Sequence, residues 1–183
     1  MYFSPEQIST ISWSFGQAEK LAERYFDLGW GGFKSHKYDV KTRFNLEDHE
    51  INDRAFAHLC RYFYHKNNDA GHPDNFYFFK VCLQDYRILN AVERSSSFIK
   101  LAPLMLYIAM HELVHVVRFN GGEIDFDAPL DEKVIEEEKV HSITRSILHP
   151  IATTEMKLVI DCFNDRLHIG DIFSEEERSE LVN

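Results

Sequence analysis

Apolar side chains recur at three- and four-residue spacing through Ile8, Ile11, Phe15, Ala18, Ala22 and Tyr25, the pattern of one helical face turned inward. The run opens on Ser4-Pro5-Glu6-Gln7, with Ser as N-cap, Pro at the first helical position and Gln placed to reach back. Gly29, Gly31 and Gly32 lie beyond its end. The spacing predicts a second helix from about Glu47 to His65, burying Ile51, Ala55, Leu59 and Tyr62 or Phe63. Only turn residues fill Asn67 to Asn75. Phe76 to Leu83 is aromatic, short and bounded by polar turns, which reads as a strand, with Lys37 to Asn45 as its partner. Tyr86 to Glu93 suits a short helix or a strand equally.

The second half is helical. Leu101 to Val117 reads as a largely buried helix, with Pro103 in its first turn and Asn120-Gly121-Gly122 ending it. Pro129 to Leu148 predicts another long helix, stopped by Pro150. Thr154 to His168, closed by Gly170, predicts a further one, and Ser174 to Glu177 repeats the capping signature for a short tail helix. The expected class is therefore α+β, mainly helical with a small sheet. A chain of 183 residues suits one domain, its first hundred residues holding helices and the sheet and the remainder the later helices. The 44% hydrophobic and 14% aromatic content is enough for a buried core.

Charge narrows the partners. A net charge of -10 and a pI near 5.4 leave no basic stripe for phosphates, so no nucleic-acid partner is expected. The acidic stretches from Glu123 to Glu138 and Glu175 to Glu177 read as solvated helix faces and N-termini. Cys60, Cys82 and Cys162 are widely spaced without a CxxC pair, so buried free thiols are expected rather than disulfides or a thiolate zinc site. No charged-then-apolar leader opens the chain, and the apolar run from Leu101 to Ala109 is short for a bilayer. A cytoplasmic protein with no membrane partner is the expectation.

The chemistry concentrates at His111-Glu112-Leu113-Val114-His115. Histidines four apart on a helix share a face one turn apart, so both imidazoles can reach one metal ion. Glu112 between them can act as general base toward a metal-bound water without competing as a ligand. Leu104, Ile108, Leu113, Val114 and Val117 surround the motif, and polar groups in such a setting are costly to desolvate unless a metal takes them up. Zinc is the expected cofactor, and a catalytic zinc takes three protein ligands. The third must come from elsewhere. Arg118 and Gly121 stand where a metzincin would have Gly and His, which excludes that branch.

On the next long helix, Glu137 shares a face with Val134, Val140, His141 and Thr144, the stripe expected to turn inward, while Glu136 and Glu138 sit off it. Glu137 follows His115 by 22 positions. This arrangement resembles the gluzincins, and Glu137 to Pro150, read as ExxxHxITRxILxP, is similar to the ExxxNxFAxxLLxP helix of ImmA/IrrE-type metallopeptidases. The resemblance covers roughly Leu101 to Pro150. It implies a zincin-like fold, zinc held by His111, His115 and Glu137, Glu112 as catalytic base, and a peptide or protein substrate. His141 stands where the family has Asn or Asp, which makes His141 a competing third ligand beside Glu137 or Glu138.

Two functions fit these residues: a zinc-dependent peptidase, or a zinc-binding regulatory module that keeps the site without an open cleft. They differ in whether the metal's fourth position is open to water or blocked by a side chain. The residue that would stabilise an oxyanion is not singled out among eight tyrosines and seven further histidines. The Phe76 to Leu83 strand is a candidate edge for docking an extended peptide.

Overall fold

The computed structural model describes residues 1–29, 31–67, 73–95 and 98–163. Ser4 starts α1 (Pro5–Phe26) through the expected capping box: its hydroxyl accepts from the Gln7 N–H at 3.3 Å and its own N–H donates to Gln7 Oε1 at 2.8 Å. Ile11, Phe15, Ala18 and Ala22 are buried along one stripe, and the small alanines let α1 lie close along the central helix. The chain then turns at Gly32, held at φ +45 with its Cα so near Glu23 that a Cβ there would sit 1.9 Å from the carboxylate. The positive φ is what calls for glycine, while a Cβ would also displace the Glu23 carboxylate. Glu23 in turn accepts the Phe33 N–H at 3.0 Å.

Three strands follow in the order β1 (Tyr38–Lys41), β3 (Pro73–Leu83), β2 (Ala57–Asn67). β1 runs parallel to β3 with Tyr38 opposite Phe79, and β2 runs antiparallel with Ala57 opposite Leu83. The helix expected from Glu47 to His65 does not form. Asp48–Glu50 make one 3-10 turn, and Ala57–Asn67 join the sheet. The reason is pairing: a Cys-Arg-Tyr-Phe-Tyr-His segment has weak helical preference, and an aromatic strand lies one turn away to receive it. β3 is consequently the central strand, flanked on both sides, so the docking edge expected there is closed.

The two faces of the sheet differ. Leu59, Phe79 and Val81 face the helices, with the Phe79 ring stacked 5.8 Å from Phe119. The opposite face carries His58, Cys60, Lys80 and Cys82 beneath the turn that brings in Glu50. Glu50 is fully buried and is bonded by Tyr62, by the Lys80 ammonium and by its own turn's N–H. Burial pushes its carboxyl up, but these donors outweigh it and hold the group at about 2. The unfolded value is near 4.3, so this stabilisation is fully present above that pH and lost as pH falls through about 2. Acid titration of a Glu50→Gln variant should therefore show a shallower loss of stability than the parent in that window, and parallel curves would remove Glu50 from this role.

Five α-helices occur among the described residues. α2 (Asp85–Arg94) settles the Tyr86 to Glu93 ambiguity as helix. α3 (Leu101–Asn120) is the core helix, burying Leu104 through Met110, Glu112 through Val114, Val116 and Val117. Its mean hydropathy of 1.2 and its length would let it cross a bilayer, but α1, α4, α5 and the sheet enclose it. α4 (Leu130–Leu148) packs on α3, and α5 (Thr154–Cys162) follows a turn at Pro150. The expected extension of α5 to His168, Gly170 and the tail helix from Ser174 to Glu177 lie outside the described residues.

Candidate metal centre

One stripe of α3 carries Tyr107, His111, His115 and Phe119 at intervals of four; the first three meet α4, while Phe119 turns to Phe79 and Phe126. The α4 residue that meets the two histidines is Glu137. His111 Nε2 lies 3.0 Å from Glu137 Oε1 and His115 Nε2 lies 3.1 Å from Oε2. His141, one turn after Glu137, places Nε2 3.3 Å from Oε1. Donor atoms of His111, Glu137 and His141 all fall within 4.8 Å of one another, and His115 joins them through the other carboxylate oxygen. The three residues expected as ligands are thus brought together, with the competitor His141 beside them. Glu138 is exposed and outside the cluster.

These spacings suit a metal. Donors on a tetrahedral zinc at 2.0–2.1 Å are separated by about 3.3 to 3.4 Å; His141 and Glu137 stand at 3.3 Å, while His111 and His115 meet the two carboxylate oxygens at the hydrogen-bond distances of 3.0 and 3.1 Å. The donor set of imidazoles and one carboxylate is the kind zinc takes. Besides their Glu137 contacts the rings pack on one another: His115 stacks on Phe119 at 5.6 Å, and His111 meets His115 edge-on at 4.8 Å and His141 at a tilt at 4.5 Å. Nδ1 of His111 and of His115 is buried without a hydrogen-bond partner among the described residues, so the carbonyl or carboxylate that often braces a metal histidine is missing. His141 is braced, its Nδ1 3.0 Å from the Tyr107 hydroxyl, and Tyr107 is stacked 4.0 Å from Phe163.

Sequence reasoning did not single out Tyr107 or Phe119. Their signal was present, since both continue the four-residue spacing of the two histidines. Tyr107 is buried with its hydroxyl committed to His141.

The charges are unequal. Burial pulls His111 down to about 4 despite its bond to Glu137, so its imidazole is neutral at pH 7. His115 is also buried, but Glu137, Glu112 and Glu136 outweigh that and raise it. Glu137 is opposed by its own burial, yet the three histidine bonds keep its carboxyl far below the usual range. Glu112 is buried and makes no hydrogen bond or ion pair among the described residues; burial lifts it to about 7. The cluster reaches the surface through Glu137, whose side chain is 49% exposed, against 12% and 13% for His111 and His115.

The inward stripe of α4 departs from expectation. Glu136 is buried with Val140, Thr144, Ile147 and Leu148, while Val134 is exposed and Glu137 lies at the stripe's edge. Glu136 is not a solvated acid: Arg118 of α3 grips it with Nε and with Nη2, the latter at 2.9 Å. The cation is the reason for its burial, because Arg118 is itself only 12% exposed and needs a counter-charge there. This fork joins α3 to α4 one turn beyond His115 and fixes the register that puts Glu137 opposite the histidines. Glu136→Ala is expected to lower stability by about 1 to 3 kcal/mol, Arg118 keeping only its longer contact with Glu123 at 4.0 Å, with an Arg118→Met/Glu136→Leu double variant recovering most of it. Urea unfolding reads both, and a single-variant loss below about 0.5 kcal/mol would make the pair a surface one.

Comparison of the chain with protein-family models, with curated proteins and with solved structures gave no match.

Proposed function

We propose that the protein is a zinc-dependent metallopeptidase with a zincin-like arrangement, in which His111, His115 and Glu137 hold the metal and Glu112 is the general base. The observation that carries the reading is the convergence of two α3 imidazoles on one α4 carboxylate at separations of 3.0 and 3.1 Å, with Glu112 buried between them in sequence. A zinc ion there would bring its bound water's pKa near neutral and polarise a peptide carbonyl.

The protein's own groups supply the rest. Glu112, which lies between the two histidine ligands in sequence and which burial holds toward its protonated form in the metal-free protein, would take a proton from the bound water and return it to a leaving amine. Its carboxylate has no competing bond among the described residues, so nothing there holds it away from that task. His111 is already neutral at pH 7 and ready to ligate. The half-exposed Glu137 side chain connects the cluster to solvent.

A second reading rests on His141. As a fourth protein donor it would close the site and leave a structural or regulatory zinc module. Against that, the His141 ring is already engaged at Nδ1 by the Tyr107 hydroxyl, the kind of bond that orients a supporting residue, although its Nε2 stands within donor spacing of Glu137 at 3.3 Å. The test is metal removal: zinc-loaded protein should cleave an unstructured peptide, lose the activity with a chelator and regain it with zinc. Cleavage that survives the chelator removes the proposal, and bound zinc with no cleavage of any peptide in a library favours the closed module.

A further inference from the structure

The back of the sheet, on the side away from α3, holds a second set of metal-ligand groups. Antiparallel register sets His58 opposite Cys82 and Cys60 opposite Lys80, so all four project from one face. A ring nitrogen of His58 and the two Sγ atoms fall within 4.8 Å of one another. The sulfurs are 3.8 Å apart. Thiolates bound to one tetrahedral zinc at about 2.3 Å are separated by about 3.8 Å, so this pair already stands at the required spacing. A disulfide needs about 2.05 Å and would draw diagonal neighbours of the ladder together by more than about 1 Å.

A second observation points the same way. Nδ1 of His58 is buried with no hydrogen-bond partner among the described residues. It has lost water and gained nothing, a cost that a cation bound at Nδ1 would remove. Two thiolates and a divalent cation are neutral together, so filling the site buries no net charge. Entry is open as well: His58 and Cys60 are half-buried on β2, an edge strand, while Cys82 is fully buried beneath them.

We infer that His58, Cys60 and Cys82 form a second metal site, for a thiophilic cation of the zinc class, which ties β2 to β3. It lies across the sheet from the α3–α4 cluster and shares no residue with it, so it stands whether or not that cluster is catalytic. The sequence hid it because the cysteines are 22 positions apart and meet only through the hairpin register.

Cobalt(II) tests the inference directly, because thiolate ligation gives a sulfur-to-cobalt charge-transfer band that histidine and carboxylate ligands lack. Titrating the metal-free, reduced protein should raise this band to saturation by two equivalents in the parent, and by one in His111→Ala/His115→Ala where the other cluster cannot compete, with zinc displacing it. The band should persist in His111→Ala/His115→Ala and disappear in Cys60→Ala. Zinc should also slow alkylation of Cys60, read by mass spectrometry, while leaving half-buried Cys162 unaffected, which needs no variant to fold. Absence of the band in the parent protein, its survival in Cys60→Ala, or equal alkylation of Cys60 with and without zinc would each overturn the site.

Discussion

Glu112→Gln is expected to keep full zinc content and to lose hydrolysis by about 10²- to 10⁴-fold, the range attributed to a positioned general base. The loss should fall on kcat, with KM little changed, because the amide keeps the shape of the carboxyl beside the same ligands. Stability separates this role from a structural one. The carboxyl is raised from an unfolded value near 4.3 to about 7 by burial, so in the metal-free protein it opposes folding increasingly as pH rises from the first value to the second. A neutral amide escapes that cost, and the metal-free variant at pH 8 should be at least as stable as the parent. If activity is unchanged, or if the variant loses activity together with zinc and stability, Glu112 is not the base.

The second large effect concerns which side chain completes the site. Glu137→Ala should abolish zinc binding at the α3–α4 cluster, measured in a Cys60→Ala background so that the sheet site does not contribute, since only His111 and His115 would remain, and two ligands hold zinc poorly. His111→Ala and His115→Ala should do the same. His141→Ala should cost about 10- to 100-fold in affinity, the usual effect of removing a residue that orients a ligand. Tyr107→Phe should follow His141→Ala in direction with a smaller loss, because it frees His141 Nδ1. Competition with a chromophoric chelator measures all five. A His141→Ala loss equal to that of Glu137→Ala would make His141 a ligand and turn the site into the closed module. Glu136→Ala must be compared at matched folded fraction, since it acts through Arg118.

The sequence by itself determined the local structure wherever a local signal decides it. Capping at Ser4, the apolar stripe of α1, the buried helix through His111 and His115, the helix ending before Pro150 and the strand at Phe76 to Leu83 all depend on neighbours a few positions apart. The spacing of His111, Glu112 and His115 belongs to the same class, as helix geometry alone sets their shared face. Tertiary structure decided what depends on distant partners. Residues 57–67 became a strand because β3 offered a ladder that outweighed their helical spacing. Glu136 was buried because Arg118 of another helix met it, so a charged residue took the inward position that apolar periodicity assigned to Val134. Cys60 and Cys82 came together through a register that no linear spacing contains. Glu137 lies between these cases: its place on α4 was legible from helix phase, but its meeting with His111, His115 and His141 required the α3–α4 packing that the Arg118–Glu136 fork holds in register.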